Sequence, residues 1–144
     1  QTFYAALSPE AQHHTNQRFL GGKKNVIGTF ITVKNANNDR RISLDEKIKD
    51  IAYKSGTLDV INNLSLQTGL LAEYHGTKLD ADEKNVPNVT IEIDRICEES
   101  VGELVSFWHL VAFYSSIMRE VNPFDQPAVE RSKDITLEEI TKSQ

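Results

Sequence analysis

Residues 25–33 read NVIGTFITV, and residues 89–94 read VTIEID. The first is a β-branched run without helical period, the pattern of a buried strand. The second alternates Val89, Ile91 and Ile93 with Thr90, Glu92 and Asp94, the pattern of a strand with two unlike faces. Between them Val60, Leu64, Leu71 and Tyr74 recur at helical spacing, which predicts a helix from Thr57 that Gly76 closes. Strands separated by helices predict an α/β fold with a parallel sheet. Two parallel strands do not make a stable sheet alone. Further strand material has to come from TFYAAL at residues 2–7, from a part of the protein beyond these residues, or from another subunit.

Working outward from the strands, Ser8-Pro9-Glu10 predicts a helix start. Ser can accept from a free amide, Pro fits the first helical position, and Glu suits the positive end of the helix. That helix runs to Gly21-Gly22. The polar KNANNDRR at residues 34–41 reads as a loop, residues 45–55 as a short charged helix, and DADEKNVPN at residues 80–88 as a surface loop. Ser100-Val101-Gly102-Glu103 has the S-x-x-E form of a capping box, and predicts a helix running to about Val121. Its apolar residues spread almost all round, so it is either central in its domain or half of a subunit interface.

The 144 residues are 39% apolar and 26% charged, which predicts a single globular domain long enough to bury a core. A formal charge of -5 with scattered Lys and Arg excludes an extended basic surface, so neither nucleic acid nor a membrane is an expected partner. The single cysteine, Cys97, has no internal partner and reads as a small buried apolar residue; together with the absence of zinc-type Cys/His spacing it fits a reducing, cytoplasmic setting. No uninterrupted apolar run reaches transmembrane length. A chain that starts at Gln is expected to be a piece of a longer one.

Four places carry candidate chemistry. Gln12-His13-His14 lies on the first predicted helix, where neighbours point about 100° apart, so the two imidazoles do not readily share a metal. The segment reads either as surface histidines or as a catalytic His. His75 and His109 read as an end cap and a helix-face residue. GGKKN at residues 21–25 and KSGT at residues 54–57 could each hold an anion, but the first precedes a strand and the second is explained by Thr57 as an N-cap. NPFDQPAVERSK at residues 122–133 is the fourth. Pro123 ends the long helix, and Asp125 or Gln126 with Pro127 restarts a short one that sets Glu130 and Lys133 on one face. The segment reads as a helix break with a surface ion pair or as a functional motif, and both readings stand on the residues alone.

NPFDQPAVERSK closely resembles the C-terminal signature N-P-F-D-Q-P-G-V-E-x-x-K of the phosphoglucose isomerase family in its prokaryotic branch. SPEAQHHTNQRFLGG at residues 8–22 resembles that family's Gln-His segment. LSLQTGLLAEYHGTK and GELVSFWHLVAFYSS follow in the family's order, so the resemblance covers nearly the whole chain. Ala128 stands where the signature has Gly. The resemblance implies the C-terminal portion of a three-layer α/β/α sugar isomerase (SIS) sandwich with a mainly parallel sheet, residues 1–144 forming part of one domain. It implies aldose-ketose isomerisation of glucose 6-phosphate and fructose 6-phosphate, without a cofactor or metal. Carried over by position, the ring-opening histidine falls on His13, the ring-opening lysine on Lys133, and Gln12, His13 and Lys133 become substrate-binding residues. A homodimer is implied, since in the family this histidine serves the neighbouring subunit's site. The family's general-base Glu precedes the Gln-His segment; EESVGE at residues 98–103 follows it and serves as a helix start. The isolated chain is therefore expected to be inactive. A non-catalytic sugar-phosphate binding or regulatory module on the same fold is the alternative, and the broad apolar helix keeps a dimerisation module open.

Overall fold

The computed structural model describes residues 4–125 and 127–143. The chain divides into two compact units, Gln1–Ser100 and Val101–Gln144. In the first, a 3₁₀ turn at Glu10–His13 leads into helix α1, Thr15–Gly21, and strand β1, Gly28–Val33. Helix α2, Glu46–Lys49, precedes a small antiparallel hairpin of β2, Ala52–Tyr53, and β3, Gly56–Thr57. A second 3₁₀ turn at Leu58–Ile61 leads to helix α3, Leu66–Glu83, and then strand β4, Asn88–Ile93.

β1 and β4 pair in parallel, from Gly28 opposite Asn88 to Val33 opposite Ile93. This is the α/β arrangement that the two sequence patterns predict. One face of the pair is organised by aromatic rings. Phe30 of β1 meets Phe19 of α1 edge to face at 6.1 Å and Tyr74 of α3 at 5.4 Å, and the Tyr74 hydroxyl lies 2.8 Å from Thr90 Oγ1 of β4. The opposite face holds Ile31, Val33, Val89, Ile91 and Ile93 by strand alternation, yet Ile31 and Val89 stay half exposed. The buried apolar residues among those described are Ala11, Ala81 and Val86. The expected core is therefore incomplete within this chain, because the more apolar face of the sheet lacks full cover.

Several boundaries differ from the sequence expectation. The first helix is interrupted: His14 leaves helical geometry at φ -136° and ψ -57°, so Glu10–His13 and Thr15–Gly21 are separate turns, and neither has a side-chain N-cap bond. Residues 57–64 do not enter a helix directly. Ser65 caps α3 instead, its hydroxyl accepting from Thr68 N at 3.0 Å. α3 also passes through Gly76 and ends at Glu83, where Asn85, at φ 53°, turns the chain. The i,i+4 pairs Lys78–Asp82 and Lys84–Asp80 and the burial of Ala81 offset the roughly 1 kcal/mol cost of a helical glycine.

Helix α4, Glu98–Met118, starts two residues before the predicted cap. Ser100 lies inside it, with its hydroxyl 3.2 Å from the partly exposed Cys97 Sγ. By length and composition α4 could cross a membrane. No uninterrupted apolar run of that length lies within it, because Ser106, His109, Ser115 and Ser116 interrupt the apolar residues. Helix α5, Pro127–Lys142, is longer than the short helix expected after the proline break.

Candidate functional site

His13 is the last residue of the 3₁₀ turn, and both His13 and His14 are exposed. His14 Nδ1 lies 2.8 Å from Thr15 Oγ1. Gln12, whose backbone N–H donates to Pro9 O at 3.1 Å, lines a cleft of about 470 Å³.

On one wall of this cleft stand Gln12, Asn16 and Gln17; on the other, Glu73, Thr77 and Asp80 of α3. Lys84 closes one end and bonds Asp80 through both carboxylate oxygens, at 2.5 and 2.6 Å. Glu73 Oε2 is shut off from solvent with no hydrogen-bond partner among the described residues. The cleft was not read from the sequence. Glu73, Thr77, Asp80 and Lys84 follow at four, three and four residues, one continuous helical stripe, and closing the helix at Gly76 cut that stripe in two.

Lys133 lies in the second unit. Asn122 Oδ1 accepts from Phe124 N at 3.0 Å, a local turn that lets the chain leave α4 and re-enter a helix at Pro127. On α5, Lys133 Nζ lies 2.6 Å from Glu130 Oε1, and both side chains are mostly exposed. The one-turn pairing predicted from the sequence is present. Gln126, also part of the motif, lies outside the described residues. His13 and Lys133 stand in different units, and each has its own local setting.

The other candidates have structural roles. In residues 21–25, Arg18 donates to Lys23 O at 3.0 Å and to Asn25 Oδ1 at 2.8 Å, so the loop is tied to α1. Thr57 is part of β3 and makes no side-chain cap bond. His75 lies within α3, beside Tyr74, instead of capping its end. At the C-terminal ends of the parallel strands Lys34 pairs with Glu92 at 3.0 Å, and Asn35 Nδ2 donates to Asp94 Oδ1 at 2.9 Å.

Sequence comparison gives these positions a context. A glucose-6-phosphate isomerase of Fusobacterium nucleatum is 32% identical over 123 residues, which are 84% of this chain and 26% of that protein. A probable glucose-6-phosphate isomerase of Methanococcus maripaludis is 31% identical over 143 residues, 99% of this chain and 30% of that protein. The chain is related to the glucose-6-phosphate isomerases. A glucose-6-phosphate isomerase of Clostridioides difficile matches at 33% identity over 84% of the chain. The chain thus spans less than a third of the isomerases it matches. No protein-family model matches it. In fold it is similar to a crystal structure of a hypothetical protein from Thermus thermophilus, with a TM-score of 0.82 at 23% identity, over 94% of this chain and 31% of that one.

Proposed function

We propose that this chain is the C-terminal, ring-opening portion of a glucose-6-phosphate isomerase, and that the complete protein interconverts glucose 6-phosphate and fructose 6-phosphate. The observation that carries this reading is similarity to isomerases along 84–99% of the chain, beside the NPFDQPAVERSK motif that runs into α5. The half-exposed apolar face of the β1/β4 pair fits a segment that belongs inside a larger α/β/α sandwich of the SIS type.

In the proposed reaction the cyclic substrate opens by cleavage of the bond between its anomeric carbon, C1 of glucose 6-phosphate or C2 of fructose 6-phosphate, and the ring oxygen. The anomeric hydroxyl gives up a proton as the ring oxygen gains one, so the step leaves no net charge. An imidazole can accept and return a proton near neutral pH, which suits His13 to this transfer. The Lys133 ammonium donates toward the ring oxygen and stabilises the charge that develops there. Gln12 holds the sugar through its amide. The base that moves the proton between C1 and C2 comes from the portion of the isomerase this chain does not span, so the isolated chain is inactive. The working protein is a cytoplasmic homodimer in which His13 serves the partner's site.

His13→Ala in the full-length protein tests this reading. Turnover of cyclic fructose 6-phosphate should fall by about a hundredfold or more, while an open-chain analogue is largely spared. Equal losses on both would remove the ring-opening role, and turnover by the purified 144-residue chain would overturn the division of labour.

A further inference from the structure

We propose that the cleft between α1 and α3 is a binding site for a small primary ammonium compound, with Glu73 as its anionic anchor. The cleft adjoins the proposed ring-opening residues through Gln12, and its anchor, Glu73, takes no part in that chemistry.

Charge balance sets the sign of the ligand. Asp80 and Lys84 pair at 2.5 Å, and Lys24 Nζ donates to Lys84 O at 2.9 Å at the same end, so Glu73 is the lining carboxylate without a cation partner among the described residues. An anion placed against Glu73 would meet like charge, whereas a cation would meet its counter-charge. Satisfaction then sets the chemistry. A carboxylate oxygen only accepts hydrogen bonds, and one held away from water without a donor is costly. The terminal torsion of a Glu side chain is soft, so Oε2 can turn toward the cleft that its residue already lines.

A metal ion is a poorer match than an ammonium. Among the described residues no three His, Cys, Asp or Glu side chains gather as a cation site, and Asp80 is already engaged by Lys84. A primary ammonium presents three donors: one for Glu73, the others for neutral acceptors such as the Thr77 hydroxyl and the amide oxygens of Asn16 and Gln17. At about 470 Å³ the cleft lies in the size range of small-molecule sites.

Titration calorimetry on the full-length protein tests the site with putrescine, the uncharged isostere 1,4-butanediol, and inorganic phosphate. Putrescine should bind saturably and the other two should not. Glu73→Gln should weaken putrescine by about tenfold or more, the loss of one charge-assisted hydrogen bond. Lys84→Gln, an exposed change that frees Asp80, should tighten putrescine severalfold and keeps the site testable even if Glu73→Gln does not fold. Equal binding of butanediol, competition by phosphate, or indifference to either substitution would overturn the site. Isomerase activity is a separate readout, so loss of one reading leaves the other standing.

Discussion

The ring of Phe19 lies directly over Gly28: a Cβ placed on Gly28 would stand 2.5 Å from Phe19 Cζ. The strand accordingly begins with a glycine because α1 needs that space to bring Phe19 against Phe30. Gly28→Ala should destabilise the protein by about 1–3 kcal/mol, the range for overpacking. A second substitution, Phe19→Leu, should recover part of that loss, and chemical denaturation of both singles and the double variant measures the coupling. Strict additivity would show that the ring and the glycine do not restrain one another.

Gly76 presents the opposite case. It lies within α3 with no positive φ, and a Cβ there would meet nothing within 4 Å. Gly76→Ala should therefore stabilise the helix by about 0.5–1 kcal/mol through the lost flexibility of the unfolded chain. A lowered melting temperature would mean that the glycine is needed by something packed on that face.

The start of α3 is pinned to the loop after β1. Asp39 Oδ1 accepts from Gln67 N at 3.1 Å, Leu66 N donates to Arg40 O at 2.8 Å, and the Gln67 side chain bridges Lys34 O and Ala36 N. Hydrogen bonds from Ser65 and from the Gln67 amide hold the Asp39 carboxyl below its ordinary range. A depressed carboxyl contributes stability that is complete above its unfolded value, about pH 4, and is lost as pH falls through the lower folded value. Amide protection factors in the first turn of α3, taken relative to the intrinsic exchange rate at each pH, should thus fall in acid below about pH 4, and Asp39→Asn should flatten that dependence. An unchanged acid limb in Asp39→Asn would assign it to other carboxyls.

These features mark where the sequence was sufficient. NVIGTFITV and VTIEID disclosed two strands because β-branched runs and alternation are local signals, and the helical spacing between them implied parallel pairing. Pro123 disclosed that α4 ends before it but not where: the helix stops at Met118, and Glu120, at φ 57°, turns the chain before the proline can act on Asn122. Gly76 misled because its helix cost is offset by the ion pairs of Lys78 and Lys84 and by buried Ala81, which depend on the folded helix. The break at His14 has no such signal in AQHHTNQ, whose composition fits a continuous helix. Of the candidate site, Gln12, His13 and Lys133 were legible as motif positions. The cleft was not, since its two walls come from segments about sixty residues apart in the chain.

Lys133 offers the sharpest division between structure and chemistry. Its pair with Glu130 is exposed on both sides, so breaking it should shift stability by less than about 1 kcal/mol. If the ammonium serves only that pair, Lys133→Met and Glu130→Gln should behave alike in the full-length protein. If it donates to the ring oxygen, Lys133→Met should reduce turnover of cyclic substrate by about a hundredfold or more, whereas Glu130→Gln should have a much smaller effect. An open-chain analogue should pass through Lys133→Met with little loss. Steady-state kinetics on both substrates, beside melting curves for both variants, separate the cases: matched kinetic and thermal profiles would reduce Lys133 to a surface ion pair.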